Sequence, residues 1–138
     1  METIVITGPS GSGKTFLAKK LSKEFNSTII LNTDSYYRDN LLIKLLSIFM
    51  HDIYDRLISI RKKELLKTIE SIYLNKETIN LYNYDFKTKK STQKKINKQK
   101  HIKLIIIEGV FSHRIKFNYK SSLNILCKEN KEICYKRR

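Results

Sequence analysis

One short stretch of this chain combines glycines with a lysine and a hydroxyl residue. Three of the four glycines and the only proline lie within residues 8–15, whose order is Gly8-Pro9-Ser10-Gly11-Ser12-Gly13-Lys14-Thr15. The stretch fits the phosphate-binding pattern G-x-x-x-x-G-K-[S/T] at every constrained position. Glycines let the backbone turn so that successive N–H groups face phosphate oxygens. The pattern predicts that Lys14 contacts the β- and γ-phosphates of ATP and that the Thr15 hydroxyl holds Mg²⁺.

The residues around this loop predict the strand and the helix that such a loop requires. Residues 3–7 form a β-branched run typical of a buried strand. Leu17, Leu21 and Phe25 recur every four residues, which indicates one face of a helix. The dinucleotide pattern G-x-G-x-x-G does not fit, because Phe16 stands where its last glycine should be. Strand, loop and helix together favour a triphosphate site over an ordinary glycine turn.

Two carboxylates come at the ends of predicted strands. Asp34 follows a strand at residues 28–31, and Glu108 comes near the end of the nearly continuous apolar run 102–109, which is typical of a central parallel strand. Ligands of open α/β sheets bind outside the carboxyl ends of the strands. We therefore expect Asp34 to neighbour the bound nucleotide and Glu108 to lie beside the phosphate loop, where it supports Mg²⁺ directly or through water.

The remaining segments predict a single α/β domain over residues 1–138. Its sheet is open and mostly parallel, with helices on both faces. Residues 78–100 are expected to form a hairpin-like flap over the site of the phosphate acceptor. The pattern of apolar residues predicts a buried helix at 41–50, a longer amphipathic helix at 52–74, strands at 78–86 and 123–127, and a helix from 131 to 138.

The amino-acid composition limits the classes of protein to which this chain can belong. The 138 residues suffice for one core, and 41% hydrophobic with 30% charged residues indicates a soluble globular protein. We find no run long enough to span a bilayer and no signal peptide, so we expect a cytoplasmic protein without a membrane partner. Cys127 and Cys134 lack the spacing of a metal site and are expected to be small apolar residues in or near a core.

The net charge of +15 has its densest source at residues 87–103, with eight lysines and no acid. Such runs are usually solvated loops, and some contact nucleic acids. No tyrosine lies within the run to stack on bases, so we do not expect a nucleic acid as partner. A phosphate-attracting field is the functional alternative to a plain solvated loop. The sequence leaves open whether the protein forms a homo-oligomer.

Four segments follow one another in the order and rough spacing of a known kinase family. They are the loop at residues 8–15, Asp34-Ser35-Tyr36-Tyr37-Arg38-Asp39, Tyr84-Asp85-Phe86 and Ile107-Glu108-Gly109. Over nearly its whole length the chain resembles uridine kinases, of the uridine kinase and phosphoribulokinase group of P-loop kinases. The resemblance implies the three-layer P-loop NTPase fold. It also implies Mg²⁺-dependent transfer of the γ-phosphoryl group of ATP to the 5′-hydroxyl of uridine or cytidine.

The resemblance also implies a role for individual residues. Lys14 and Asp34 would be catalytic, with Asp34 accepting the proton of the nucleoside hydroxyl. Thr15, Asp34 and Glu108 would surround the metal ion. Three further residues would bind the substrate, namely Tyr37, Tyr84 and Arg138.

The chain departs from the family in three places. The stretch at 49–55 replaces a His-Pro-Asp-rich segment, and Lys89 stands in place of a histidine. The chain is C-terminally short and is expected to lack the lid region, which favours nucleotide binding over efficient turnover. Three functions therefore stay open: a pyrimidine nucleoside kinase, a P-loop kinase for another small alcohol or sugar phosphate, and a nucleotide-binding protein with little or no catalysis.

Overall fold

The computed structural model describes residues 1–39, 57–97, 101–116 and 123–137, with residues 43, 45, 48 and 49 between the first two ranges. It divides into two compact units: one comprises Met1–Thr33 with Lys100–Arg138, and the other comprises Asp34–Gln99. The single domain expected over residues 1–138 stays a prediction. In chain order the elements are β1 (Glu2–Thr7), α1 (Lys14–Glu24), β2 (Thr28–Asn32), α2 (Lys62–Tyr73), β3 (Thr78–Asp85), β4 (Lys90–Asn97), β5 (Leu104–Gly109), β6 (Leu123–Leu126) and α3 (Lys131–Lys136).

The first unit contains a four-stranded parallel sheet in the spatial order β2-β5-β1-β6. All six residues of β5 are buried, because this strand has a neighbour on each side and its apolar run covers both faces of the sheet. At the carboxyl edge, Glu108 is opposite Ile6 of β1 and opposite Asn32 of β2. The α/β class with a parallel sheet, predicted from the sequence, is confirmed.

Helix α1 covers one face of this sheet. Ala18 is fully buried against alternate residues of the two central strands, and Leu17 and Leu21 pack on the same cluster. The four strand residues of this cluster are Ile4, Ile6, Leu104 and Ile106. The predicted face therefore holds for Leu17 and Leu21, whereas Phe25 follows the last helical residue and is 49% exposed.

The second unit packs α2 against a two-stranded hairpin. The buried face of α2 includes Leu65, Ile69 and Ile72, and Ile79 is buried on β3. Strands β3 and β4 pair antiparallel over eight residues each, from Thr78–Asn97 to Asp85–Lys90. A hairpin within 78–100 is therefore present, with part of the lysine-rich run forming the mostly exposed β4. Its role as a flap over an acceptor site stays a prediction.

The helix predicted at residues 52–74 begins later than expected. Residues 52–56 lie outside the described part, Leu57–Ser59 is a short 3₁₀ helix, and α2 starts at Lys62. The cause is tertiary pairing: Ile60 forms an antiparallel bridge with Tyr37, which holds the backbone extended there. No helix in the described ranges has the length and apolarity needed to cross a bilayer.

The buried helix predicted at 41–50 lies mostly outside the described residues. The four described positions, 43, 45, 48 and 49, are helical. Ile43 is buried, whereas Leu45, Ile48 and Phe49 are exposed, so burial holds only at Ile43 among these four.

Tyr36 links the parts of the second unit. Its side chain is 1% exposed, its ring contacts Tyr82 at 5.2 Å between centroids, and its hydroxyl donates to Thr68 Oγ1 at 3.0 Å. Burial raises the pKa of Tyr36 from 10.0 to about 12, because the phenolate would lose its hydration.

We therefore predict a pH-dependent effect of Tyr36→Phe on the free energy of unfolding. The folded-state pKa lies above the unfolded value, so the neutral phenol stabilises the fold below pH 10 and this contribution is lost as the pH rises towards 12. At pH 7 the variant should lose about 1 kcal/mol with the hydrogen bond. Urea unfolding at increasing pH should show this deficit shrinking and then reversing. A deficit that is constant from pH 7 to pH 11 would contradict the account.

Candidate functional site

The loop at residues 8–15 joins the buried end of β1 to the first turn of α1. Within it, Ser12 N donates to Pro9 O at 3.2 Å. At its end, Leu17 N donates to the carbonyl of Gly13 at 2.9 Å. Gly11 and Gly13 have φ angles of 82° and 88°, in the left-handed region that side chains disfavour. The sequence therefore produces a tight loop whose shape depends on glycine.

The two left-handed glycines have different surroundings. A Cβ atom on Gly11 would lie 2.4 Å from the carbonyl oxygen of Cys134, so α3 leaves no room for a side chain there. A Cβ atom on Gly13 would meet nothing within 4 Å. Gly11 therefore serves close packing of the loop, whereas Gly13 faces open space at the start of α1.

Lys14 is held inside this loop. Its side chain is 5% exposed, and Nζ donates to the carbonyl oxygen of Pro9 at 2.8 Å. Within the described part of the chain this is its one hydrogen bond, and an ammonium carries three protons. Two of its three donors thus have no partner among the described residues.

Further unpaired donors lie at the same place. Ser12 Oγ is buried and has no hydrogen-bond partner in the described structure. No side chain caps the N-terminus of α1, and its first turn contains no acid. Its leading N–H groups and the positive end of the helix dipole are therefore available to a negatively charged ligand. Donors of this kind are suited to bind a phosphate group.

Thr15 and Glu108 meet where a metal ion would be needed. The exposed Thr15 donates through Oγ1 to Glu108 Oε1 at 3.0 Å, and Glu108 is 1% exposed. A hydroxyl and a carboxylate are hard oxygen ligands of the kind Mg²⁺ prefers. The described residues contain no group of three or more His, Cys, Asp or Glu side chains arranged for a metal.

Sequence reasoning missed a set of hydroxyl contacts behind this loop. Buried Ser112 donates through Oγ to the carbonyl oxygens of Ile6 and Gly109, at 2.8 and 3.0 Å. Thr7 Oγ1 lies 2.9 Å from His113 Nδ1. These contacts tie the ends of β1 and β5 to the turn that follows β5. The only sequence signal was the placement of Ser112 and His113 just after Gly109.

The predicted acceptor-site residues belong to the second unit. Asp34 lies half-buried in the 3₁₀ helix Thr33–Tyr36. Tyr37 and Tyr84 are in contact, with ring centroids 5.6 Å apart, and each is at most 6% exposed. Phe86 packs on both rings, at 5.5 and 5.0 Å, and is 61% exposed. Phe86, which was not among the predicted substrate residues, therefore presents the accessible aromatic surface of this cluster.

Asp85 between those aromatics has a local role. Its carboxylate accepts hydrogen bonds from Thr88 Oγ1 at 2.8 Å and from Lys87 N at 2.9 Å. The Thr88 hydroxyl and then the Lys87 amide lower the pKa of Asp85. The residue thus closes the turn of the hairpin, which accounts for an acid at this position.

The predicted site residues therefore fall into three groups. The loop residues and Glu108 come together in the first unit, joined by the Thr15–Glu108 hydrogen bond. Asp34, Tyr37 and Tyr84 belong to the second unit. Arg138 lies outside the described residues. The catalytic, substrate and metal roles stay predictions.

Comparison with solved structures shows which fold this is. A structure described as a possible uridine kinase from Bacillus stearothermophilus matches with a TM-score of 0.72 and 18% identity, over 99% of this chain and 76% of that one. A putative fructose transport system kinase from Silicibacter sp. TM1040 matches with a TM-score of 0.74 and 14% identity, over 99% and 69%. The chain has the P-loop kinase fold. D-glycerate 3-kinase from Cryptococcus neoformans var. grubii also matches, at a TM-score of 0.57 and 22% identity, over 80% of this chain and 42% of that one.

At these identities the likeness concerns the fold. No protein-family model matches the chain, and no curated protein matches it in sequence. The P-loop kinase fold accounts for the parallel sheet, the glycine loop after β1 and the helix that begins at Lys14.

Substitution of the two left-handed glycines tests the geometry of the loop. Gly13→Ala should cost about 1–2 kcal/mol of unfolding free energy, which is the usual penalty of a left-handed alanine. Gly11→Ala carries the same penalty and adds the clash with Cys134, about 1–3 kcal/mol for overpacking. Urea unfolding of the two variants measures the difference. Equal losses would contradict the close approach of α3 to Gly11.

Proposed function

We propose that the chain binds ATP with Mg²⁺ and transfers its γ-phosphoryl group to a hydroxyl of a small molecule. The observation that carries the proposal is the loop at residues 8–15. Its lysine is buried with donors to spare, its Ser12 hydroxyl is unpaired, and it opens onto an uncapped helix start. Phosphoryl transfer depends on positioning and charge neutralisation, which such a loop supplies.

In this proposal the residues of the first unit hold the triphosphate. Backbone N–H groups of the loop bind the β- and γ-phosphate oxygens, and Lys14 shifts from Pro9 to the phosphates. Thr15 and Glu108 hold Mg²⁺, which supplies further neutralisation of charge on the transferring group. The cytoplasmic location expected from the sequence belongs to the same proposal.

Asp34 is the proposed acceptor of the hydroxyl proton. It follows Asn32 by two residues along the chain, and Asn32 is the register partner of Glu108 at the carboxyl edge of the sheet. A carboxylate that follows this edge is suited to orient an alcohol for attack. Tyr37, Tyr84 and Arg138 are proposed to bind the acceptor.

The identity of the acceptor is a separate step. The resemblance to uridine kinases implies uridine or cytidine, so both belong in any assay. The names of the compared kinases refer to uridine, to a fructose transport system and to D-glycerate. Because these names differ, the fold alone does not identify the alcohol that accepts the phosphoryl group.

Replacement of Lys14 tests phosphate binding by the loop. Lys14→Ala should lower the rate of phosphoryl transfer at least about 100-fold, because a buried donor to the developing charge is lost. Lys20→Ala is the matched control, since it removes the same charge from an exposed position on α1. Transfer from radiolabelled ATP to a panel of alcohols provides the measurement. Similar rates in both variants would refute the proposed role of the loop.

Replacement of Asp34 separates acceptor activation from nucleotide binding. Asp34→Asn should lower kcat by about 100-fold or more while the Kd for ATP without Mg²⁺ stays within a factor of about three, because a general base acts on the acceptor. Calorimetry gives the Kd and the radiolabel assay gives kcat. ATP binding by the parent without transfer to any alcohol would leave a nucleotide-binding protein and would remove the catalytic claim.

A further inference from the structure

The second unit contains a cationic pocket that lies outside the predicted site residues. It is lined by Arg38, Arg61, Lys63 and Glu64 and has a volume of about 300 Å³. This volume is at the lower end of small-molecule sites and accommodates an anionic group with a few attached atoms. Three of the four lining side chains are cations, so the pocket favours a negatively charged ligand.

The backbone fixes the two arginines of this pocket relative to each other. Arg38 N donates to Ser59 O at 2.7 Å, and Arg61 N donates to Tyr36 O at 2.8 Å. These bonds flank the antiparallel bridge between Tyr37 and Ile60. The cations therefore extend from two segments that hydrogen bonds hold together, which reduces the entropy lost when a ligand binds.

Arg61 is oriented by its neighbours and retains an unused donor. Its guanidinium donates to Asp39, whose other carboxylate oxygen accepts from Ser91 N at 2.9 Å, and it lies 5.7 Å from the centroid of the Tyr82 ring. Its Nε is buried and has no hydrogen-bond partner in the described structure. A buried donor of this kind is costly to leave unpaired.

Arg38 and Lys63 carry the uncompensated charge. Arg38 Nε donates to the carbonyl of Ile60 at 3.2 Å. This bond does not use the two terminal amino groups of the guanidinium, which can still donate to a ligand. Neither cation is in an ion pair with an acid of the described ranges. Asp39 offsets Arg61, and Glu64 is the one acid in the lining, so a positive surplus remains.

We propose that this pocket binds the anionic group of the acceptor, so that the substrate is a small alcohol bearing a phosphate or a carboxylate. The inference rests on the proposed function for its acceptor. Arg38 follows Asp34 by four residues, so their Cα atoms lie at most about 14 Å apart. One small molecule can therefore present its hydroxyl to Asp34 and its anion to the pocket. A neutral nucleoside would leave the surplus charge uncompensated.

Binding of simple anions tests the pocket without reference to catalysis. We expect inorganic phosphate and acetate, titrated separately into the full chain at constant ionic strength, to shift the backbone NMR signals of residues 61–64. The anion with the lower Kd indicates the acceptor class. Loop signals at residues 11–15 report binding to the phosphate loop in the same spectra. No shift at 61–64 with either anion would overturn the proposal.

Matched variants separate the pocket from diffuse surface charge. Lys63→Ala should weaken anion binding at residues 61–64 about three- to tenfold and leave the loop Kd unchanged. Lys62→Ala removes the same charge from the same helical turn, at an exposed residue outside the lining, and should change the Kd less than twofold. Glu64→Gln should strengthen binding about twofold. Equal weakening by Lys62→Ala and Lys63→Ala would overturn the proposal.

Acceptor assays distinguish failure of this inference from failure of the proposed function. Small alcohols bearing phosphate or carboxylate should be phosphorylated with a KM that rises at least threefold in Lys63→Ala and stays constant in Lys62→Ala. Transfer only to uridine, cytidine or other neutral alcohols would overturn the inference and uphold the proposed function. Absence of transfer to every alcohol would overturn the proposed function, and with it the assignment of the pocket to an acceptor.

Discussion

The in-register pairing of β1 with β5 is the constraint on which the candidate site depends. The strands run parallel from Glu2–Leu104 to Thr7–Gly109, so the loop leaves β1 at the edge where Glu108 lies, one residue before the end of β5. Side chains alternate between the faces of a sheet, and a slip of one residue would turn Glu108 to the opposite face. The Thr15–Glu108 hydrogen bond at 3.0 Å therefore reports the correct register. It is also one of the interactions that accompany the burial of the Glu108 carboxylate.

The glycine loop and the central strand of the first unit could be predicted, because their residue types suit the structure that they form. Only glycine tolerates the φ of 82° at Gly11 together with contact to Cys134, so the glycine spacing encodes the loop directly. The apolar run that became β5 is buried on both faces, and such strands leave a strong signal. The contact of Gly11 with α3 could not be predicted, because it joins residues distant in sequence and involves backbone atoms that carry no residue-specific signal.

The second unit was harder to predict, because backbone pairing between segments distant in sequence determined its elements against the local residue pattern. Residues 57–61 share the helical spacing of α2, yet the bridge between Tyr37 and Ile60 holds them out of the helix. The lysine-rich sequence of β4 is typical of a solvated loop. It forms a strand because it pairs with β3 at eight positions. The cationic pocket had no sequence signature at all. Arg38 and Arg61 are 23 positions apart, and the hydrogen bonds beside that bridge bring their segments together.

The central claim is that residues 8–15 enclose the phosphates of a nucleoside triphosphate. A crystal structure of the full chain with Mg²⁺ and a non-hydrolysable ATP analogue tests it most directly. We expect the β- and γ-phosphates within hydrogen-bond distance of the backbone amides of this loop, with Lys14 Nζ moved from Pro9 O to a phosphate oxygen and the metal ion beside Thr15. A nucleotide bound elsewhere, with Lys14 still on Pro9 O, would contradict the account.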